Sequence, residues 1–494
     1  MESRAQPPAR WYLARRLFLA GIAATFAIAF GSLLAQVRGL FGAHGIAPLA
    51  ERMAALSGEL HGWERAQLPT LLWFGASDAR LVLVCWLGLA LAACACAGFV
   101  PRVALGACWL MYLSLVCVGW PFMNFQWDVL LLEAGLLAFV WAPGGLRPFG
   151  RTERVPARVT RWLVYWLLFR LMVLSGGVKL ASGDPSWRDG TALDFHYWTQ
   201  PLPHRLSVFA HEMPAGFRHF SVAVMFAIEL LVPCLLLVPW GRRHLRQVVA
   251  VSVALLMALI SATGNYGFFN VLTLVLCIPL LDDRAWHALL RKPLTPARAA
   301  SFLGPSGVRT AALTAFATFV LLFTSARALE RMGWIEALPG PLARLERAAA
   351  PLASFNAYGL FSVMTKERPQ LRIEGSSDGV EWRPYAFRYQ AGALDRPPAF
   401  AGLHMPRLDW QLWFAGLEHD APWRSEWTRD FLRRLLEGSP EVLGLLAENP
   451  FPAEPPRYVR AQVALYRFAG AEERRAGSWW QRGEFRSFLP VERR

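Results

Sequence analysis

The sequence predicts an α-helical polytopic membrane bundle of about nine spans, followed by a soluble, mostly β C-terminal domain, a small discoidin-like sandwich with added helices. Three observations carry that expectation. Of 494 residues, 55% are hydrophobic and only 18% are charged, and the mean hydropathy is +0.30, a balance unlike that of soluble domains. The apolar residues gather in long runs separated by short polar loops, as helices in lipid require. After Leu329 the runs stop, and mixed polar and apolar residues rich in Pro and Trp take over. The domains expected are a multi-span region over 1–335, a connecting segment over 336–357 and an extracytoplasmic domain over 358–494.

Nine apolar stretches fit spans: 17–37, 81–100, 103–121, 127–142, 159–181, 220–240, 248–263, 267–281 and 310–329. The fourth, seventh and eighth are short for a hydrocarbon layer of about 30 Å. Only Gly264, Asn265 and Tyr266 separate the seventh from the eighth, which predicts a tight hairpin. The first follows Arg15 and Arg16, is too long for the core of a signal peptide and lacks a small-residue cleavage site, so it reads as a retained span.

The formal net charge of +15 admits nucleic-acid binding as one reading. Its distribution excludes it, because the basic residues cluster in short loops between apolar runs. With the N-terminus inside and nine alternating spans, eighteen basic residues fall in inner segments (Arg4, Arg10, Arg151, Arg154, Lys292 and Arg298 among them) and seven in outer loops. The positive-inside bias thus places the N-terminus in the cytoplasm and the C-terminal domain on the export side. All seven cysteines (Cys85, Cys94, Cys96, Cys108, Cys117, Cys234 and Cys277) lie in apolar runs. They read as small packing residues, with no disulfide, no metal ligand and no C-x-x-C redox motif.

In the C-terminal region, 371–375 and 382–389 read as strands joined by the Asp-Gly turn 376–379. The S-x-D-G-x-x-W string from Ser376 to Trp382 resembles hairpins of discoidin-like β-sandwiches. Residues 427–436 and 440–446 read as helices and 458–468 as a closing strand.

Five ionisable groups fall inside spans, where charge is costly and is normally paired. Asp128 and Lys179 lie about 2–3 Å below the outer ends of their spans and are expected to pair there. Arg170 and Glu229 lie near mid-membrane and are expected to pair, with Glu133 as competitor. A structural salt bridge is favoured over a proton path, because no further chain of acidic groups follows.

The loop 183–203 combines polar and aromatic residues and is unlike a flexible linker. On the assigned topology it meets Asn124, Lys179 and the 264–270 hairpin at the outer side, where functional loops ride on a rigid scaffold. The candidate outer-face site is Trp187, Arg188, Asp189, His196, Tyr197, Gln200, Asn265, Tyr266 and Asn270. His196, His204 and His211 match no zinc spacing, and no cofactor is implied. An enzymatic alternative would use Lys179 and His196 as acid and base, with Asp128 and Asp184 as partners. A transporter is disfavoured, since no inverted repeat is visible.

At these segments the chain resembles the lipase maturation factor family. The matching strings are LLAQVRG (33–39) with GIAP (45–48), TLLWFGASD (70–78), NFQWDVLLLE (124–133), 175–190, FHYWTQPLP (195–203), TGNYGFFN (263–270), SSDGVEWRPY (376–385), PRLDWQLW (406–413) and 449–458. The resemblance covers essentially the whole chain. It implies a membrane-embedded factor, in animals of the endoplasmic reticulum, that assists folding and assembly of secreted clients such as lipases. It transfers no catalytic residue. The Ala/Arg-rich composition suggests a bacterial relative in the inner membrane. The partners expected are therefore membrane lipid and a secreted client protein such as a lipase, with no nucleic acid and an oligomeric state that the sequence leaves open.

Overall fold

Within lipid a backbone must satisfy its own hydrogen bonds, so apolar runs of this length fold as helices. The computed structural model describes residues 11–123, 125–149, 155–238, 242–291, 307–421 and 425–493. All nine apolar stretches are helical there: α1 (Tyr12–Leu34), α2 (Asp78–Cys96), α3 (Pro101–Val118), α4 (Gln126–Trp141), α5 (Arg158–Ala181), α6 (Ala215–Leu236), α7 (Arg242–Thr263), α8 (Phe268–Leu280) and α9 (Gly307–Arg331). Among the described residues, seven of them are long and apolar enough to cross a membrane, and α4 and α8 are shorter. Helix α7 starts six positions before the predicted 248, because Arg242–Gln247 continue the helix beyond the apolar run. The predicted end of the sixth stretch at Trp240 lies outside the described residues. So do Asn124, Arg4, Arg10, Arg151, Arg154, Lys292 and Arg298.

Helix α1 forms the axis of the bundle, packing on α2, α4 and α8. Its Phe26 and Phe30 are fully buried and meet the Tyr112 ring edge-on at 6.0 and 5.5 Å. Helix α2 approaches through Gly88, where a Cβ would stand 2.6 Å from the Phe30 ring; small residues permit such backbone proximity in membranes. The Asp283 carboxylate accepts hydrogen bonds from the N–H groups of Tyr12, Leu13 and Ala14 at 2.9, 3.0 and 3.1 Å, so it closes the open N-terminus of α1. Leu83, Trp86, Phe220, Leu255, Leu259 and Leu322 point outward and are exposed, as a lipid-facing surface requires.

Helix α6 is irregular for a local reason. Pro233 lacks the N–H that would bond the Glu229 carbonyl four residues earlier. The chain widens into a π turn over Ala227–Leu231 and tightens over Val232–Leu236. Glu229 sits on that wide turn and is buried.

The C-terminal strands form one curled antiparallel sheet of five: β1 (Pro369–Ser376), β2 (Arg383–Pro384), β3 (Tyr458–Phe468), β4 (Trp480–Arg482) and β5 (Arg486–Arg493). The order is β2-β1-β3-β4, and β5 also pairs with β3. Strand β1 runs along β3 from Pro369↔Leu465 to Ser376↔Tyr458. The Asp378 carboxylate accepts the N–H groups of Val380 and Glu381 at 2.8 and 2.9 Å and so fixes the predicted turn. The second predicted strand, 382–389, shrinks to two residues, since Pro384 cannot donate to a ladder. Helices α10 (Arg407–Leu417) and α11 (Trp427–Glu437) pack on this sheet. Helix α11 matches the predicted 427–436, whereas α10 lies where the sequence predicts no element.

Bundle and C-terminal region share one continuous apolar core. Across their junction the Phe122 ring meets Trp427 at 5.3 Å and Trp127 meets Trp410 at 4.7 Å. At Gly39, just after α1, an added Cβ would stand 2.4 Å from the Glu441 carbonyl oxygen, which is backbone and cannot swing away. Gly39→Ala is therefore expected to cost about 1–3 kcal/mol by overpacking. Thermal unfolding of the detergent-purified protein checks this against Gly31→Ala, a position with nothing within 4 Å; equal melting of the two variants would contradict the close approach.

Candidate functional site

The five charged groups of the spans all stand in ion pairs, but their partners differ from the expected ones. Arg170 pairs with Glu133, the competitor, and donates to the Asn356 carbonyl at 2.5 Å. The other Glu133 oxygen accepts the Asn356 N–H at 3.1 Å and the Tyr358 hydroxyl at 2.7 Å. Lys179 pairs with Glu229 at 2.7 Å, under the face of the Trp187 ring at 5.2 Å. Asp128 pairs with neither span residue. Its partner is Arg407 of α10, through two hydrogen bonds of 2.7 and 3.0 Å.

The Asp128–Arg407 pair is embedded in further bonds. The Tyr112 hydroxyl reaches Asp128 at 2.5 Å, and Arg407 also donates to the Phe122 carbonyl at 2.7 Å. Burial alone would lower the Arg407 pKa, but the Asp128 carboxylate and Tyr112 raise it above the ordinary arginine value. The backbone N–H groups of Met405 and of Arg407 itself donate to the Ser32 and Gln36 side chains at the end of α1, at 3.0 and 2.8 Å. The loop entering α10 is thus plugged between α1, α3 and α4.

A second arginine fastens the loop 183–203. Arg368, fully buried, donates to the carbonyls of Trp198, Gln200 and Pro201 at 3.2, 2.5 and 3.0 Å. Burial pushes its guanidinium down to about 9. From α10, Trp413 Nε1 donates to the Thr199 carbonyl at 2.9 Å. The start of the C-terminal region joins in: Gly359 and Gln126 exchange two hydrogen bonds of 3.1 and 3.2 Å.

Within this frame lies a buried polar relay. Gln200 Nε2 donates to the Thr263 and Tyr197 carbonyls at 2.7 and 3.1 Å, which fixes the orientation of its amide. Its Oε1 must then accept the Tyr266 hydroxyl at 2.9 Å. That hydroxyl, having given its one proton, accepts from His196 Nε2 at 3.1 Å, so the network assigns the Nε2–H tautomer. Burial first, and the nearby Lys179 ammonium second, push the imidazole down to about 4. Asn265 donates to the Leu202 and Ala399 carbonyls at 3.0 and 2.8 Å and accepts the Ala401 N–H at 2.8 Å. Asn270 reaches the Ser261 hydroxyl at 2.8 Å. Trp187 is buried and donates to the Phe361 carbonyl at 3.0 Å, whereas Arg188 and Asp189 are exposed at the loop surface.

The structure therefore gathers His196, Tyr197, Gln200, Tyr266 and Asn265 and leaves Arg188 and Asp189 outside that network. The acid–base alternative is not assembled. Asp128 is held by Arg407, and Asp184 accepts the Ser186 and Met364 N–H groups at 2.9 and 2.5 Å. Burial opposes ionisation of Asp184, but those bonds hold its carboxyl below the usual range. His204 caps the helix Arg205–Glu212 through the Leu206 N–H, and His211 meets the Phe468 ring at 5.9 Å. Arg368, Arg407, Asn356 and Tyr358 were missed, because nothing in their local sequence marks burial against a membrane helix. The one available signal was the position of Arg407 inside the PRLDWQLW string.

A family model described as the lipase maturation factor transmembrane domain matches residues 13–288, and one described as the lipase maturation factor C-terminal domain matches 354–490. The chain is 34% identical to lipase maturation factor 2 of Gallus gallus over 98% of this chain and 82% of that protein. It is 35% identical to lipase maturation factor 2 of Homo sapiens over 97% and 82%. It is 29% identical to lipase maturation factor 1 of Homo sapiens over 97% and 88%. No solved structure matches the chain.

Two outcomes are expected from this geometry. Arg407→Met leaves the Asp128 carboxylate buried and unpaired, at a cost of about 3–5 kcal/mol, and pairing it with Asp128→Leu should recover much of that loss. Unfolding temperatures of the two single variants and the double variant measure the coupling; additive losses would deny it. His196 must stay neutral in the fold, whereas an unfolded chain takes up a proton below about 6.5. Its stabilising contribution is complete above that pH and is lost as pH falls from 6.5 toward 4, by on the order of 3 kcal/mol. Wild type should thus lose stability over that window more steeply than His196→Gln.

Proposed function

The chain belongs to the lipase maturation factor family, and from that premise we propose that it is a multi-pass membrane protein assisting the folding and assembly of secreted clients, lipases foremost. The observation that carries this reading is the convergence at one end of the bundle. There the C-terminal domain, the loop 183–203 and the 264–270 hairpin are locked together by Arg407, Arg368 and the Gln200–Tyr266–His196 relay. These buried bonds make the surface above them rigid, and that surface is borne on membrane helices, which suits holding a client close to the bilayer. The acidic groups that a catalytic reading needs are already engaged in structural bonds.

In this reading the spans comprise 1–335, the connecting segment 336–357 and the client-facing domain 358–494. The candidate outer-face site is the loop surface around Trp187, Arg188 and Asp189, backed by the relay. The N-terminus is cytoplasmic and the C-terminal domain lies on the export side, supported by the excess of basic residues in the opposite loops. That side is the endoplasmic reticulum lumen for an animal relative and the periplasm for a bacterial one.

Truncation before residue 360, combined with Asp128→Asn so that no unpaired carboxylate is left buried, should abolish maturation of a co-expressed secreted lipase while the spans still insert. Undiminished lipase activity would overturn the reading. A reporter fused after Arg494 is expected on the export side, and cytosolic activity of that reporter would reverse the assigned orientation.

A further inference from the structure

The outward face of the curled sheet carries a connected strip of arginines and aromatic rings that no step above uses. Arg482 lies over the Phe485 ring at 4.4 Å, and Arg372 lies over the same ring at 4.8 Å. Arg372 then reaches one oxygen of Glu374 at 2.8 Å, and Arg460 takes the other oxygen at 2.7 Å. Arg460 in turn covers the Trp382 ring at 4.1 Å. Beside it, Arg493 covers Tyr458 at 5.7 Å. The register explains the alignment: Glu374 faces Arg460 across β1 and β3, Arg372 faces Gln462, and Tyr458 faces Arg493 across β3 and β5.

The strip carries unbalanced positive charge that is open to solvent. Glu374 is nearly inaccessible, with 4% of its side chain exposed, while Arg372 and Arg460 each keep 28%. One buried carboxylate is shared by two guanidiniums, and Arg482 and Arg493 add two more at the exposed margins. Adjacent Arg457 and Arg486, set against Glu484 and Glu492, leave the excess in place.

The chemistry of the missing partner follows from how the arginines are held. A guanidinium laid on a ring is pre-oriented, and its N–H groups that Glu374 does not take can make charge-assisted hydrogen bonds to further carboxylates. The ring faces are covered by that same contact, so they are not open platforms for stacking sugars. Phe485, Trp382 and Tyr458 are half-buried in the sheet and do not project as interfacial lipid anchors do. We propose that this strip is a docking surface for a carboxylate-rich segment of a client polypeptide. The inference rests on the client-holding reading and names what that domain recognises: an acidic stretch, steered by charge complementarity.

The test uses the full chain in phosphatidylcholine nanodiscs and a fluorescein-labelled peptide of ten glutamates, with a ten-glutamine peptide as control. Wild type should bind the glutamate peptide selectively. Arg482→Gln with Arg493→Gln, both exposed, should weaken it about tenfold with no change in unfolding temperature. Arg372→Lys with Arg460→Lys should weaken it too, since an ammonium keeps the charge but loses the planar fork. Binding that ignores either pair of substitutions overturns the proposal. So does a preference for phosphatidylserine vesicles, or for a heparin oligosaccharide of equal charge, over the peptide. The client-holding reading fails separately, if lipase maturation survives the truncation, whatever the peptide does.

Discussion

The buried pair between Asp128 and Arg407 is the constraint on which the arrangement of this molecule depends. Neither charge tolerates its site alone. Asp128 lies in the first turn of a membrane helix, and Arg407 comes from a segment nearly 280 residues later in the chain. Each is fully buried, so either one unpaired costs several kcal/mol. The pair adds little net stability over an apolar contact of the same shape; it contributes registry. The C-terminal domain has one position on the bundle at which both charges are satisfied, and the Ser32 and Gln36 side chains read the adjacent backbone at that same position.

That constraint also separates what the sequence made legible from what it did not. Hydropathy located all nine helical stretches, because lipid imposes the same length and composition on every span. It also marked Asp128, Glu133, Arg170, Lys179 and Glu229 as groups needing partners. Depth along a helix fixes the axial level of a charge, however, and not which helix lies beside it. Counting from the apolar edges puts Arg170 and Glu229 at one level, but Glu229 packs beside Gly176, six positions further along α5, and α5 turns Arg170 toward α4 and the connecting segment. Lys179, two turns further along, meets Glu229 instead, and the π turn before Pro233 is what presents that carboxylate.

The partner of Asp128 was illegible for a different reason. Hydropathy reading treats everything after the last span as water-facing, so Arg407 looked like an ordinary surface residue. The neighbouring helix α10 was missed with it: Arg407–Leu417 is buried along much of its length, with Trp410, Leu412 and Trp413 in the core, and shows no clean amphipathic alternation. Strand β3, half-buried and rich in β-branched and aromatic residues, was visible at once. The loop 183–203 stands out by composition, but its order depends on Arg368, which reaches it from 167 or more positions away.

These long-range locks bear on how a client-holding surface works. A domain joined to its bundle by a flexible linker can open and close around a partner. Here opening would expose the charged pair, strip three carbonyls of Arg368 and break the rings of Trp127 and Trp410 apart, losses that sum to far more than the coupling of about 1–3 kcal/mol that one ligand typically supplies. The domain therefore behaves as part of the membrane scaffold. In the proposed client-holding role, recognition would fall to side chains already exposed on it, at the tip of the 183–203 loop and on the outward face of the sheet. On that proposal, affinity for a client would be set by those surfaces and by the client's own readiness to fit them, while the buried arginines keep the surfaces in place.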